Sequence, residues 1–309
     1  MSLPLVDLPR DLEGRNVLVV PRGTDVVVLA TAWFPDASWL REPVSADEAA
    51  KARPMTGARF RGISSVVAEA APGLLRLNGA ASLEGPTSMG RAQAQSAGLA
   101  VPEVDLYALV PADPRASLDL VYGWMAAAAR RAAGSIIPAD RALPVVVPDP
   151  GAAVDLTLWS PMPLSAQDAL PLVRPAMTGA RVGPTDVPHP QPSAGTSAPP
   201  TFSVTATFEY DGAITVRTGR STEVPVALSR LDWREFGPWS YHITWNPPEP
   251  EELRSEHPSQ LHLIARSRVE PSVARIAAAL WRAVGGTVVD SGGFIVPPGE
   301  LQDRATARR

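Results

Sequence analysis

Arg53-Pro54-Met55-Thr56-Gly57-Ala58-Arg59 returns, one residue longer, as Arg174-Pro175-Ala176-Met177-Thr178-Gly179-Ala180-Arg181. A recurrence of this length inside one chain points to two related halves and supplies a register for comparing them. Both copies stand behind the same kind of helix start. Ser45-Ala46-Asp47-Glu48 has the capping-box pattern, in which the serine hydroxyl accepts from the backbone three residues on and the glutamate reaches back. Ser165-Ala166-Gln167-Asp168 repeats it with a shorter acid. Pro54 and Pro175 close the two short helices, because proline steers the residue before it out of the α region.

Upstream of the motif, residues 17–20 and 26–34 are β-branched and apolar on either side of Arg22-Gly23-Thr24-Asp25, and they read as a hairpin. Residues 145–147 and 154–159, around Asp149-Pro150-Gly151, read as its counterpart. That pairing sets Thr31, Trp33 and Pro35 against Thr157, Trp159 and Pro161. Downstream, 63–71 and 74–77 flank Pro72-Gly73, and 202–210 and 213–217 flank Asp211-Gly212, a favoured hairpin turn. Residues 184–200, crowded with Pro, Ser, Gly and Thr and lacking periodicity, read as a loop inserted into the second half. Residues 298–309 read as a flexible tail.

Each half then closes with a strand, a helix and a strand. In the first, 106–110 leads to a helix opened by Asp113-Pro114, with Leu118, Val121, Tyr122, Met125 and Ala129 on one face, and then to 135–137. In the second, 261–265 leads to a helix opened by Glu270-Pro271, with Val273, Ile276, Ala277, Leu280 and Val284 on one face, and then to 287–289. The expected fold is α+β: a tandem duplication of a β-β-α-β-β-β-α-β-like unit over residues 1–142 and 143–309, with mostly antiparallel sheets and helices packed on one face.

Composition narrows the function classes. A chain of 309 residues, 45% apolar and 19% charged, is long enough for two domains with their own cores. A formal net charge of -4 argues against nucleic acid or an anionic membrane as the main partner. The absence of cysteine removes disulfides, thiolate metal sites and a cysteine nucleophile. No run approaches the roughly 18 apolar residues of a membrane span, so the expected location is the cytoplasm. One lysine, Lys51, among 28 basic residues and 34 prolines fit the codon usage of a GC-rich bacterium. No motif calls for a cofactor or a metal.

Four places carry candidate chemistry. The recurring motif offers Thr56, Arg59, Thr178 and Arg181 either as a structural joint, with glycine at positive φ and arginine paired to carboxylates, or as backbone N–H groups and guanidinium presented to an anion. Trp233, Phe236, Trp239, Tyr241 and Trp245 form an aromatic run that the first half lacks; Tyr241, Ile243 and Trp245 alternate to one side of a strand. Such a run either plugs a core or anchors a partner. His242, His257 and His262 with Glu256 match no ligand spacing. Asp290-Ser291-Gly292-Gly293 resembles four residues of the nucleophile signature of trypsin-like serine proteases, but that family's base segment is missing and a turn between two strands is expected.

The reading these features support is a non-enzymatic binding, regulatory or scaffolding protein that contacts its partner through Trp233, Trp239, Tyr241 and Trp245. The alternative is an enzyme acting on an anionic small molecule in a cleft between the repeats, with Arg59 and Arg181 as clamps.

Overall fold

The computed structural model describes residues 9–44, 71–99, 101–183, 201–221, 223–255 and 257–307. The chain divides into two compact units, Met1–Pro150 and Gly151–Arg309. The Arg53 to Arg59 copy of the motif, the Ser45 capping box and the loop 184–200 lie outside the described residues.

The first unit contains β1 (Val17–Pro21), α1 (Val26–Thr31), β2 (Ser38–Arg41), β3 (Gly73–Arg76), β4 (Ala81–Met89), α2 (Arg91–Ser96), β5 (Val104–Pro111), α3 (Asp119–Arg131) and β6 (Ser135–Ile137). Its sheet runs β2-β3-β4-β5-β1-β6, with every neighbouring pair antiparallel. Because β5 and β6 both oppose β1, they run parallel to each other with β1 between them. The helix α3 connects them as a split β-α-β unit.

The second unit contains β7 (Leu156–Ser160), α4 (Ala166–Val173), β8 (Arg181–Gly183), β9 (Phe202–Phe208), β10 (Gly212–Arg220), α5 (Trp233–Phe236), β11 (Trp239–Asn246), α6 (Gln260–Val284), β12 (Thr287–Asp290), β13 (Ile295–Val296) and α7 (Pro298–Thr306). Read from β8, its sheet runs β8-β9-β10-β11-β7-β12-β13, again antiparallel throughout. The first six positions follow the order of the first sheet. The fold is thus α+β with two antiparallel sheets. In the second, one face carries Leu158, Tyr241, Ile243 and Trp245 against α4, α6 and α7. The opposite face carries Trp159 and Val289, covered by Leu228 and by Phe236 of the four-residue α5.

Several elements differ from the sequence expectation. Residues 26–34 form no strand: Asp25 caps a helix by accepting from Val27 N and Val28 N, and Val26, Leu29 and Ala30 are buried at helical spacing while Val28 faces water. Trp124 holds that helix in place, donating from Nε1 to the Leu29 carbonyl at 2.9 Å and meeting Phe34 edge-on. Burial against α3 here overrides β-propensity. Residues 145–147 contribute only the single bridge of Val146 to Ile136. The alignment of Trp33 with Trp159 therefore fails in space, since Trp33 follows a helix and Trp159 lies inside β7.

The helix expected from Asp113-Pro114 starts at Asp119 instead, without a side-chain cap. The strand expected at 261–265 is the opening of α6, which Ser259 caps, and Pro271 lies inside that helix rather than at its start. Burial of His262, Ala265, Val269 and Val273 keeps one face in the core through the proline, so packing offsets the backbone hydrogen bond that Pro271 lacks. Residues 298–306, expected in a tail, form α7 and seat Leu301 and Ala305 in the core.

Other readings match the structure. Residues 202–208 and 212–220 form the hairpin, with Gly212 at φ 82°. Asp290-Ser291-Gly292-Gly293 is the turn between β12 and β13, in which Asp290 Oδ1 accepts from Gly292 N and Phe294 N. Arg174 to Ala180 is a turn joining α4 to β8, with Gly179 at φ 81° and with Met177 and Ala180 buried. Among the described residues, no helix is long and apolar enough to cross a membrane.

Candidate functional site

The long helix α6 starts beside the β9–β10 hairpin turn, and the two frame a pocket of about 300 Å³. Ser259 Oγ accepts from His262 N at 3.2 Å, which supplies the cap. Glu252, from the segment before the helix, accepts from Ser259 N at 2.8 Å and so places a carboxylate where the helix dipole favours one. Across the pocket, Asp211 of the hairpin turn meets Arg268 at 3.5 Å.

Behind the pocket lining, the aromatic strand supports His262 and the hairpin turn. Trp245 is buried, its backbone N donating to Asp155 Oδ1 at 2.8 Å and its Nε1 donating to the Asp211 carbonyl at 2.7 Å. Its indole lies 5.0 Å from the His262 ring at 50°. Burial raises the Asp155 carboxyl above the usual carboxylate range, and the Trp245 N–H pulls the other way. His262 is only 6% exposed, yet it lines the pocket. Around the mouth stand Leu261, 79% exposed, Tyr210, 74% exposed, and the partly exposed Ile264. Among the described residues, Asp211, Glu249 and Glu252 line the same pocket, with Arg268 as the one lining arginine. The arrangement is an apolar mouth with an acidic lining.

The Ser259 hydroxyl serves the helix cap through the backbone N of His262, and among the described residues no hydrogen bond joins it to the His262 imidazole. Among the described residues, no three His, Asp or Glu side chains converge to hold a metal ion. His242 lies on β11 with Nδ1 3.1 Å from Thr157 Oγ1, and His257 precedes the α6 cap.

The expected contact residues separate. Tyr241 is fully buried, with its hydroxyl donating to the Met162 carbonyl at 2.8 Å, and burial pushes its pKa up to about 12. Trp245 joins it in the core, and Trp239 packs against that core partly buried. Trp233 is 52% exposed, beside Phe236 and remote in sequence from the pocket lining. Thr178 and Arg181 are exposed, and Arg181 makes no ion pair among the described residues. Thr56 and Arg59 lie outside the described residues. The sequence reading missed Tyr210, Leu261, Ile264 and Arg268, which come from two segments about fifty residues apart. Comparison of the chain with protein-family models, with curated proteins and with solved structures found no match.

One pH dependence follows from the pocket lining. Burial first, and Arg266 second, hold His262 below its ordinary value of 6.5, while Glu252 and Glu249 oppose the shift. The unfolded chain then binds the proton more readily than the folded chain. The stabilisation is complete above about pH 6.5 and declines as pH falls below it. His242 shifts the same way, by partial desolvation and then by Arg217, its partner across β10. In His262→Gln the fall of Tm between pH 6.5 and 5 should be shallower than in the parent, and shallower still when His242→Gln is added. Parallel Tm profiles for all three chains would show that neither imidazole contributes.

Proposed function

We propose that the chain is a non-enzymatic binding or scaffolding protein whose second unit docks a partner at the pocket opening α6. The observation that carries this reading is the exposure of Leu261 and Tyr210 on either side of a concavity lined by His262, whose ring Trp245 backs from the core. Large apolar side chains held in water at the mouth of a pocket are the usual mark of a contact site. Among the described residues, three lining carboxylates against one arginine favour a partner segment that inserts an apolar side chain between basic residues. The aromatic strand thus supports the site from the core, through the contacts of Trp245 with His262 and the Asp211 carbonyl, rather than serving as the contact surface itself.

Methyl NMR of the full chain tests this, using a short peptide with Leu flanked by Arg and a control with Leu flanked by Glu. The Arg-flanked peptide should shift the Leu261 and Ile264 methyl resonances, and Leu261→Asp should abolish the response elsewhere around the pocket. Equal shifts from both peptides, or an unchanged response in Leu261→Asp, reject the site.

We also infer that the two units descend from one duplicated unit. Support comes from the common six-strand order and from glycines at matching joints: Gly134 enters β6 beside the Val19 carbonyl of β1, and Gly286 enters β12 beside the Trp159 carbonyl of β7. On this correspondence, Asp25 and Ser165, the N-caps of α1 and α4, occupy equal places. The recurring motif does not follow it: the Arg174 copy precedes edge strand β8, whereas the Arg53 copy follows edge strand β2 in the chain.

A further inference from the structure

A second concave surface of the same unit has the opposite polarity. A groove of about 690 Å³ runs between α4, α6 and α7, with Pro171 and Leu172 on one wall and Ala279 and Ala283 along its base. Among the described residues, the charged ones lining it are Arg275 and Arg282, with no carboxylate. Seven residues separate them on one helix, which sets them on the same side about 10 Å apart along its axis. Arg275 is held in place by the Pro271 carbonyl at 3.2 Å and by Ser272 Oγ at 2.9 Å. Arg282 reaches Gln302 Oε1 at 3.4 Å. Both are exposed, and neither forms an ion pair among the described residues. Glu235 shares an adjoining depression with Arg282, also without such a pair.

Small and proline side chains along the base and one wall leave room for bulkier apolar groups, and the guanidinium groups offer planar, permanently charged forks to carboxylates. We propose that this groove seats an acidic amphipathic helix of a partner protein. Its apolar face packs on Pro171, Leu172 and Ala279, and two carboxylates about two turns apart pair with Arg275 and Arg282. The recurring motif then has a place in binding, since Pro175 and Ala176 complete the groove wall, whereas its terminal Arg181 takes no part. The inference is independent of the pocket at the start of α6, and Leu261→Asp leaves it untouched.

Fluorescence anisotropy of the full chain tests the proposal, using a labelled Leu/Ala-rich helical peptide with Glu at two positions seven residues apart and a twin carrying Lys there. The Glu peptide should bind roughly tenfold or more tightly than the Lys peptide, with the difference shrinking as salt rises. In Arg275→Glu/Arg282→Glu the preference should reverse. Equal binding of the two peptides to the parent chain overturns the proposal, as does undiminished binding of the Glu peptide to the reversed variant. Circular dichroism checks that variant's fold. Should the fold be lost, Ala283→Glu, at an exposed position in the groove, replaces it: binding of the Glu peptide must weaken there, and unchanged binding overturns the proposal equally.

Discussion

Gly286→Ala should cost the second unit about 3 kcal/mol or more, among the largest losses a single added methyl group produces. A Cβ at this position would stand 2.0 Å from the Trp159 carbonyl oxygen, and the backbone there is at φ 108°, a conformation that L side chains rarely adopt. The obstacle is backbone in a central strand, so no side-chain rotation relieves it. β12 must part from β7 at the register where Thr287 faces Trp159. Gly134→Ala should act in the same way on the first unit, where the added carbon would meet the Val19 carbonyl at 2.0 Å and β6 must part from β1. Amide hydrogen exchange separates the two effects: Gly286→Ala should deprotect β7 and β12, and Gly134→Ala should deprotect β1 and β6. An alanine tolerated at either joint with native protection would mean that the strands do not approach as described, and it would weaken the equivalence of the two joints.

How far the fold was legible in the sequence depended on how local the deciding interactions are. The hairpin at Asp211-Gly212 and the turn at Asp290 to Gly293 are set by neighbours in the chain, and both were readable. α1 was not, because Val26, Val27 and Val28 favour strand and only the Asp25 cap and the contact with Trp124, ninety-five residues away, decide for helix. α6 misled for a related reason. Leu261, Leu263 and Ile264 look like a strand core, yet Leu261 and Ile264 point to water and His262 and Ala265 point inward. Pro271 then looked like a helix start because proline is common there, whereas the core face of this helix continues across it.

The candidate site was legible only as a neighbourhood. Alternation along β11 correctly put Tyr241, Ile243 and Trp245 on one side, but it cannot say whether that side meets solvent or helices. Three helices packed on that side settle the matter here. The residues left at the surface, Tyr210 and Leu261, belong to a hairpin turn and a helix start that the chain alone does not bring together. The same holds for Arg275 and Arg282, whose spacing placed them on one outer helix face but whose groove needs α4 and α7 as walls. On the two proposals above, the acid-lined pocket and the arginine-lined groove of this unit would take partners of opposite charge.

Trp245→Ala should separate the two roles open to the aromatic run. The indole is 3% exposed, so truncation leaves a cavity and should cost about 3–5 kcal/mol. It also strips the part-buried Asp211 carbonyl of its Nε1 donor, which adds at most about 1 kcal/mol because water can reach the hairpin turn. Trp233→Ala, at a half-exposed ring with one edge-on aromatic neighbour, should stay within about 1 kcal/mol. Urea unfolding followed by circular dichroism measures both. A second reading comes from His262: once the indole no longer shields it, water reaches the imidazole and its pKa should climb back toward 6.5, visible in an NMR titration. If Trp245→Ala proved as mild as Trp233→Ala and left the His262 titration unmoved, Trp245 would not be the support that joins core to pocket. The contact surface would then have to be sought at Trp233, on the opposite face of the sheet.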